Sequence, residues 1–165
     1  MKLIKTLKLA DYLTIANFAS GLLSIFFAIN SDFTISGVLM IAAFIFDALD
    51  GRVARATNKA NAFGKELDSL ADLTSFGVGP AVFGFCQGLN EPYQIVILVL
   101  FSAAGMLRLA RFNVLKVKDF IGIPITTNGI LFPLMFLLMG TFNWFIIIYF
   151  IMGILMISDF RIKKI

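Results

Sequence analysis

Long uncharged runs separated by short charged ones set the pattern of this chain. Residues 12–31 are twenty uncharged residues, enough for one helix to cross a bilayer. Asp32 ends that run, and the next one, 33–46, has only fourteen residues, too few to cross alone. The second helix is therefore expected to continue through Asp47 and Asp50, which sets both carboxylates within the span or at its mouth. Residues 73–90 give a third span, loosened by Gly77, Gly79, Pro80 and Gly84, and residues 92–107 a fourth, closed by Arg108. The last run, 120–158, has thirty-nine residues, too many for one helix, and divides near 140–143 into spans five and six. Pro124 and Pro133 are tolerable there if neighbours satisfy the freed carbonyls. Ahead of these runs, Lys2, Lys5 and Lys8 are spaced by three, which predicts a short amphipathic helix over 1–10 on the membrane surface. A signal peptide also starts basic, but no small-residue cleavage site stands out and more spans follow. The expected fold is all-α: one domain over 1–165, an integral membrane bundle with six transmembrane helices over 11–160.

Composition agrees with a membrane protein. The 165 residues are 59% hydrophobic with a mean hydropathy of +0.93 and include 19 Phe, far above soluble usage. The lone Cys86 excludes an internal disulfide and a cysteine zinc site. With no histidine in the chain, carboxylates are the natural acid–base groups near neutral pH. All 14 basic residues fall before span one, between two and three, after four, and after six. The opposite loops hold Asp32 and Glu91 and no Lys or Arg. By the positive-inside rule both termini are then cytoplasmic and the protein is multi-pass in the cell membrane. The net charge of +4 needs no other reading. Dispersed basic residues without interleaved aromatics give no case for nucleic acid.

Charge patterning also concentrates the chemistry. Asp47 and Asp50 are three apart, and Asp68 and Asp72 are four apart, so on helices each pair shares a face. Four converging carboxylates in a poor dielectric need cations to neutralise them, and oxygen-only ligands suit Mg²⁺, Mn²⁺ or Ca²⁺. A lone intramembrane aspartate could instead pair helices or relay protons, and a small cation transporter could use four of them as its ion site. Against transport, Arg55 and the small residues around it have no obvious use in a cation path. Gly51 and Gly64 let a ligand or a helix approach closely, as Ala54 could too.

The spacing D-x2-D-G-x2-A-R-x8-G-x3-D-x3-D, met from Asp47 to Asp72, resembles the signature of the CDP-alcohol phosphotransferases, membrane enzymes of phospholipid synthesis. That resemblance implies two divalent cations, Mg²⁺ or Mn²⁺, on Asp47, Asp50, Asp68 and Asp72, with Ca²⁺ as an inhibitory occupant. It makes Asp72 the base for the acceptor hydroxyl and places Gly51, Ala54, Arg55 and Gly64 around the CDP moiety of a CDP-lipid. Asn17 matches a first-span position that faces the nucleotide, although an interhelical hydrogen bond is an equal alternative. Ser75-Phe-Gly-Val-Gly-Pro-Ala81, Arg108-Leu-Ala-Arg-Phe-Asn113 and Phe120-Ile-Gly-Ile-Pro124 resemble the serine-using branch, the membrane-embedded phosphatidylserine synthases. The implied partners are CDP-diacylglycerol or an ether-lipid counterpart, L-serine and membrane lipids, in a homodimer. Inositol phosphate and glycerol phosphate are the alternative acceptors. Arg108 and Arg111, three apart and level with the aspartates, are expected to bind a phosphate or carboxylate; basic residues at a cytoplasmic span end are the plainer account.

Overall fold

The computed structural model describes residues 7–56, 62–114, 120–140, 144–159 and 161–162. Among the described residues, six helices make up the bundle: α1 (Leu9–Ile29), α2 (Phe33–Ala56), α3 (Ala62–Cys86), α4 (Pro92–Val114), α5 (Ile125–Met139) and α6 (Phe145–Ile157). The first four are long and apolar enough to cross a membrane. One antiparallel pair of two-residue strands, Phe120–Ile121 with Arg161–Ile162, ties the segment before α5 to the segment after α6.

Most boundaries follow the uncharged runs, and the departures lie at charged residues. α2 does run through Asp47 and Asp50. α1 starts at Leu9, so Asp11 lies inside the helix rather than before it. Leu9 and Ala10, expected in a surface helix, belong to α1; residues 1–6, including Lys2 and Lys5, lie outside the described residues. α3 begins at Ala62, not at residue 73, and carries Asp68 and Asp72 in its first three turns. α4 continues past Arg108 and Arg111 to Val114. The last run divides where expected: α5 ends at Met139, and Gly140 takes φ 73°, a left-handed value that glycine adopts without strain. Residues 141–143 lie outside the described residues. α5 starts only at Ile125, with a tight 3₁₀ turn over Ile125–Thr127.

α1 packs through small and polar residues, while the apolar core lies among α3, α4, α5 and α6, around Phe76, Phe101, Ile125, Phe132, Tyr149 and Met156. The buried face of α1 reads Asp11, Thr14, Asn17, Ser20, Gly21, Ser24 and Ala28, while Ile15, Phe18, Leu23 and Phe26 are exposed. Membrane helices gain little from hiding leucine, so small and polar residues make the contacts. Ser36 Oγ donates to the Ser24 carbonyl at 2.8 Å, joining α2 to α1. A Cβ on Gly21 would fall on Ser75 of α3, so only glycine permits that approach.

Within α3 the chain widens into a π-helical turn over Leu73–Val78, directly after Asp72. Neighbours bond to carbonyls in and just after this turn. Asn128 Nδ2 donates to Phe76 O at 3.1 Å, Ser102 Oγ to Gly77 O at 3.1 Å, and Tyr149 Oη to Pro80 O at 2.7 Å. Each such bond removes the cost of a buried polar group without water. Phe132 stacks on Tyr149 with centroids 4.0 Å apart, and Phe101 meets both edge-on. This packing fixes the lower part of α3 and thereby the aspartates above it.

Candidate active site

α2 and α3 bring their acidic faces together. One carboxylate oxygen from each of Asp47, Asp50 and Asp68 lies within 4.8 Å of the other two. Asp72 follows Asp68 by one turn of α3 and lies outside this trio. α1 holds the group from a third side: Thr14 Oγ1 donates to Asp50 Oδ2 at 2.7 Å, and Asn17 Nδ2 donates to Asp72 Oδ1 at 3.1 Å. Ser75 Oγ donates to the Asn17 carbonyl at 3.2 Å, which keeps α1 and α3 in register. Asp50 and Asp72 are almost fully buried. Asp68 Oδ1 is buried and has no hydrogen-bond partner among the described residues.

These donors fit a hard divalent cation. They are all carboxylate oxygens, they converge from two helices, and one of them is an orphaned acceptor that needs a positive partner. Several buried carboxylates this close cannot all be ionised without such a charge.

Two cavities open from the cluster. The larger, about 670 Å³, is lined by Asp50 and Asp68 together with Gly51, Ala54, Arg55 and Gly64. Four residues expected around a CDP group therefore share one cavity with two of the aspartates. The smaller, about 150 Å³, is lined by Asp68, Asp72, Arg108, Ser69, Asn113 and Thr126, among others. Lys65, Asp68 and Phe112 border both cavities. Lys65 Nζ donates to the carbonyls of Phe112 and Asn113, both at 3.4 Å, and lies 5.1 Å from the Phe112 ring centroid.

The two arginines part company. Arg108 is buried, lines the smaller cavity, and its Nε has no partner among the described residues. Arg111 pairs with Asp159 at 3.0 Å and donates to the carbonyls of Ile157 at 3.3 Å and Ser158 at 3.1 Å. It anchors the end of α6 and lines neither cavity. Asn17 also lines neither; its amide nitrogen bonds Asp72, the interhelical alternative.

A sequence model of CDP-alcohol phosphatidyltransferases matches residues 7–159. The chain belongs to the CDP-alcohol phosphatidyltransferase family. Three relatives refine its place in that family. The CDP-diacylglycerol–serine O-phosphatidyltransferase of Methanocaldococcus jannaschii is 39% identical over 160 residues, covering 97% of this chain and 76% of that one. The archaetidylserine synthase of Methanothermobacter thermautotrophicus is 40% identical over 134 residues, 78% of this chain and 58% of that one. The CDP-diacylglycerol–serine O-phosphatidyltransferase of Saccharomyces cerevisiae is 39% identical over 146 residues, 76% of this chain and 52% of that one. The chain thus spans about three quarters of the first relative and little more than half of the other two.

Several residues at the site were not evident from the family signature. Thr14, Asp11 and Lys65 line the larger cavity, and Ser69, Asn113 and Thr126 the smaller. The signal for the first pair was present: Asp11, Thr14 and Asn17 recur every three residues within an otherwise apolar helix. Ser69 carries no such mark, and Asn113 stood out only as the end of the Arg108–Asn113 stretch; the two meet when α3 and α4 pack, where Asn113 Nδ2 donates to Ser69 Oγ at 3.0 Å.

Proposed function

We propose that this protein transfers a phosphatidyl or archaetidyl group from a CDP-linked lipid to L-serine and releases CMP. The carrying observation is the oxygen cluster of Asp47, Asp50 and Asp68, opening on one side to a nucleotide-sized cavity and on the other to a small one. The names of the three relatives, two serine O-phosphatidyltransferases and an archaetidylserine synthase, support the choice of acceptor.

Asp47, Asp50, Asp68 and Asp72 would hold two divalent cations, Mg²⁺ or Mn²⁺. When bound, such cations supply Lewis-acid stabilisation of the charge on the attacking and leaving oxygens. Arg55 holds the donor's phosphates, and Gly51, Ala54 and Gly64 allow the nucleotide close to the backbone. Asp72, oriented by Asn17, accepts the proton of the serine hydroxyl. The new bond forms from that oxygen to the lipid-linked phosphorus, and the bond from this phosphorus to CMP breaks. Arg108 lies in the smaller cavity beside Asp72, where a carboxylate would find a fork of donors. Arg111, paired with Asp159, serves the end of α6 instead.

The reading extends to the whole chain. A single domain spans 1–165, crosses the cell membrane six times with both termini cytoplasmic, and works as a homodimer. The one-sided distribution of Lys and Arg supports the orientation. α5 and α6 are short for full spans, so they would cross with help from the segments around them. The test is CMP release by purified protein given CDP-diacylglycerol, Mg²⁺ or Mn²⁺, and serine, inositol phosphate or glycerol phosphate in turn. Release with serine alone supports the proposal. Release only with another alcohol moves the protein to another branch of the family.

A further inference from the structure

α3 carries its two aspartates on one side of the π-helical turn and its anchor on the other. Asp72 immediately precedes the turn over Leu73–Val78. Beyond the turn, Tyr149 Oη donates to the Pro80 carbonyl at 2.7 Å, and the Phe83 ring meets Phe33 and Phe136 edge-on. At the end of the turn the Gly79 N–H donates to Thr74 O, five residues back. A turn closed in this way holds one residue more than an α turn. At about 100° per residue, it rotates Asp68 and Asp72 by about that angle from where an uninterrupted α-helix on the same anchor would aim them. The wide turn therefore lets α3 pack on its anchor and still face the aspartates of α2.

Asn128, at the start of α5, sits against the middle of this turn. In a regular helix Phe76 O would accept from the residue four places on, but that residue is Pro80 and has no N–H. Asn128 Nδ2 donates to Phe76 O at 3.1 Å, and also to Met156 Sδ at 3.6 Å. Next to it, a Cβ on Gly129 would fall on the Phe76 ring, so α5 meets Phe76 at both its carbonyl and its ring. Ser75 bonds the Asn17 carbonyl of α1, so the turn is held between two helices. Asn128 is fully buried, and its Oδ1 has no partner among the described residues. Interhelical packing is the plainer account of such a side chain in a membrane bundle. Packing alone does not favour an amide that leaves a buried acceptor unsatisfied, because an apolar residue of similar volume carries no such cost. What the amide supplies is the donor that Pro80 lacks.

We propose that Asn128 is a positioning residue for the metal site: by holding Phe76 O it keeps α3 in its wide turn, and that turn aims Asp68 and Asp72 toward the aspartates of α2. This rests on the proposed function, in which the four aspartates hold divalent cations.

The experiment measures equilibrium Mn²⁺ binding to the full chain in detergent by electron paramagnetic resonance, beside the thermal midpoint of the metal-free protein. Asn128→Leu keeps nearly the volume and removes the donor. Asn128→Ala removes it without crowding and guards against a folding failure of the leucine variant. Each should weaken Mn²⁺ binding about 10- to 100-fold, the usual effect of losing a group that orients metal ligands. In initial rates at saturating CDP-diacylglycerol and serine, the half-activating Mn²⁺ concentration should rise by the same factor. Unchanged Mn²⁺ affinity in a variant that still unfolds cooperatively would overturn the proposal, and with a lowered midpoint it would leave Asn128 a packing residue. Serine-dependent CMP release by the wild type reports separately on the proposed function, because Mn²⁺ binding is read without substrates. Release by the wild type together with unchanged Mn²⁺ affinity in the variants would refute the role of Asn128 alone.

Discussion

Arg108 offers the sharpest handle on the acceptor. The residue is 8% exposed, borders the small cavity with Asp68 and Asp72, and leaves Nε without a partner among the described residues. A serine carboxylate held there would accept two parallel hydrogen bonds in a site shielded from water. Arg108→Lys keeps the charge and removes the fork, so about 1.4 kcal/mol should be lost and the KM for serine should rise about tenfold. Arg108→Met removes the charge as well. A hydrogen bond to a charged group contributes about 1.5–3 kcal/mol, which corresponds to a rise of roughly 10- to 150-fold. The KM for CDP-diacylglycerol should change little in either variant. Initial rates of CMP release, with each substrate varied at saturation of the other, separate the two constants. A raised KM for the CDP-lipid with serine unaffected would place Arg108 on the donor phosphates and refute the assignment.

Three further outcomes follow from the same geometry. Asp68→Asn should abolish turnover at limiting Mg²⁺ while leaving the protein folded in the membrane, because it changes a ligand charge and hardly any volume; near-normal activity would remove Asp68 from the site. Gly21→Val should lower the temperature of inactivation and the rate together, since its Cβ would fall on Ser75 and push α1, with Thr14 and Asn17, away from the aspartates; unchanged stability would show that α1 and α3 do not pack this closely. In a Cys86→Ser background, a cysteine at Asn90 should react with an impermeant thiol reagent added outside cells, and one at Glu66 should not. The opposite labelling would invert the topology.

The sequence made the site's chemistry legible because eight fixed residues of one motif fall on two adjoining helices. Asp47 and Asp50 share a helix face, as their three-residue spacing predicted, and Asp68 of the neighbouring helix converges on them. The all-helical character, the long second helix and the division near Gly140 were legible too, since each depends on local runs of uncharged residues. What stayed hidden depends on partners distant in sequence. Arg108 and Arg111 look equivalent on one helix face, yet Asp159 captures one and the small cavity receives the other. Counting uncharged residues also hid Asp11 and the early start of α3, because a span drawn only from apolar residues stops at the first charge, whereas both helices run through theirs. The π-helical turn over Leu73–Val78 has no local signal beyond its glycines; it exists because Asn128, Ser102 and Tyr149 reach carbonyls in and beside it.

The most direct measurement follows labelled serine into lipid. Purified protein would be incubated with CDP-diacylglycerol, Mg²⁺ or Mn²⁺ and isotopically labelled serine, and both CMP and solvent-extractable label would be quantified. The account predicts one lipid-linked serine for each CMP released, and neither product when the divalent ion is chelated. CMP released without labelled lipid, or labelled lipid formed equally well in chelator, would contradict it.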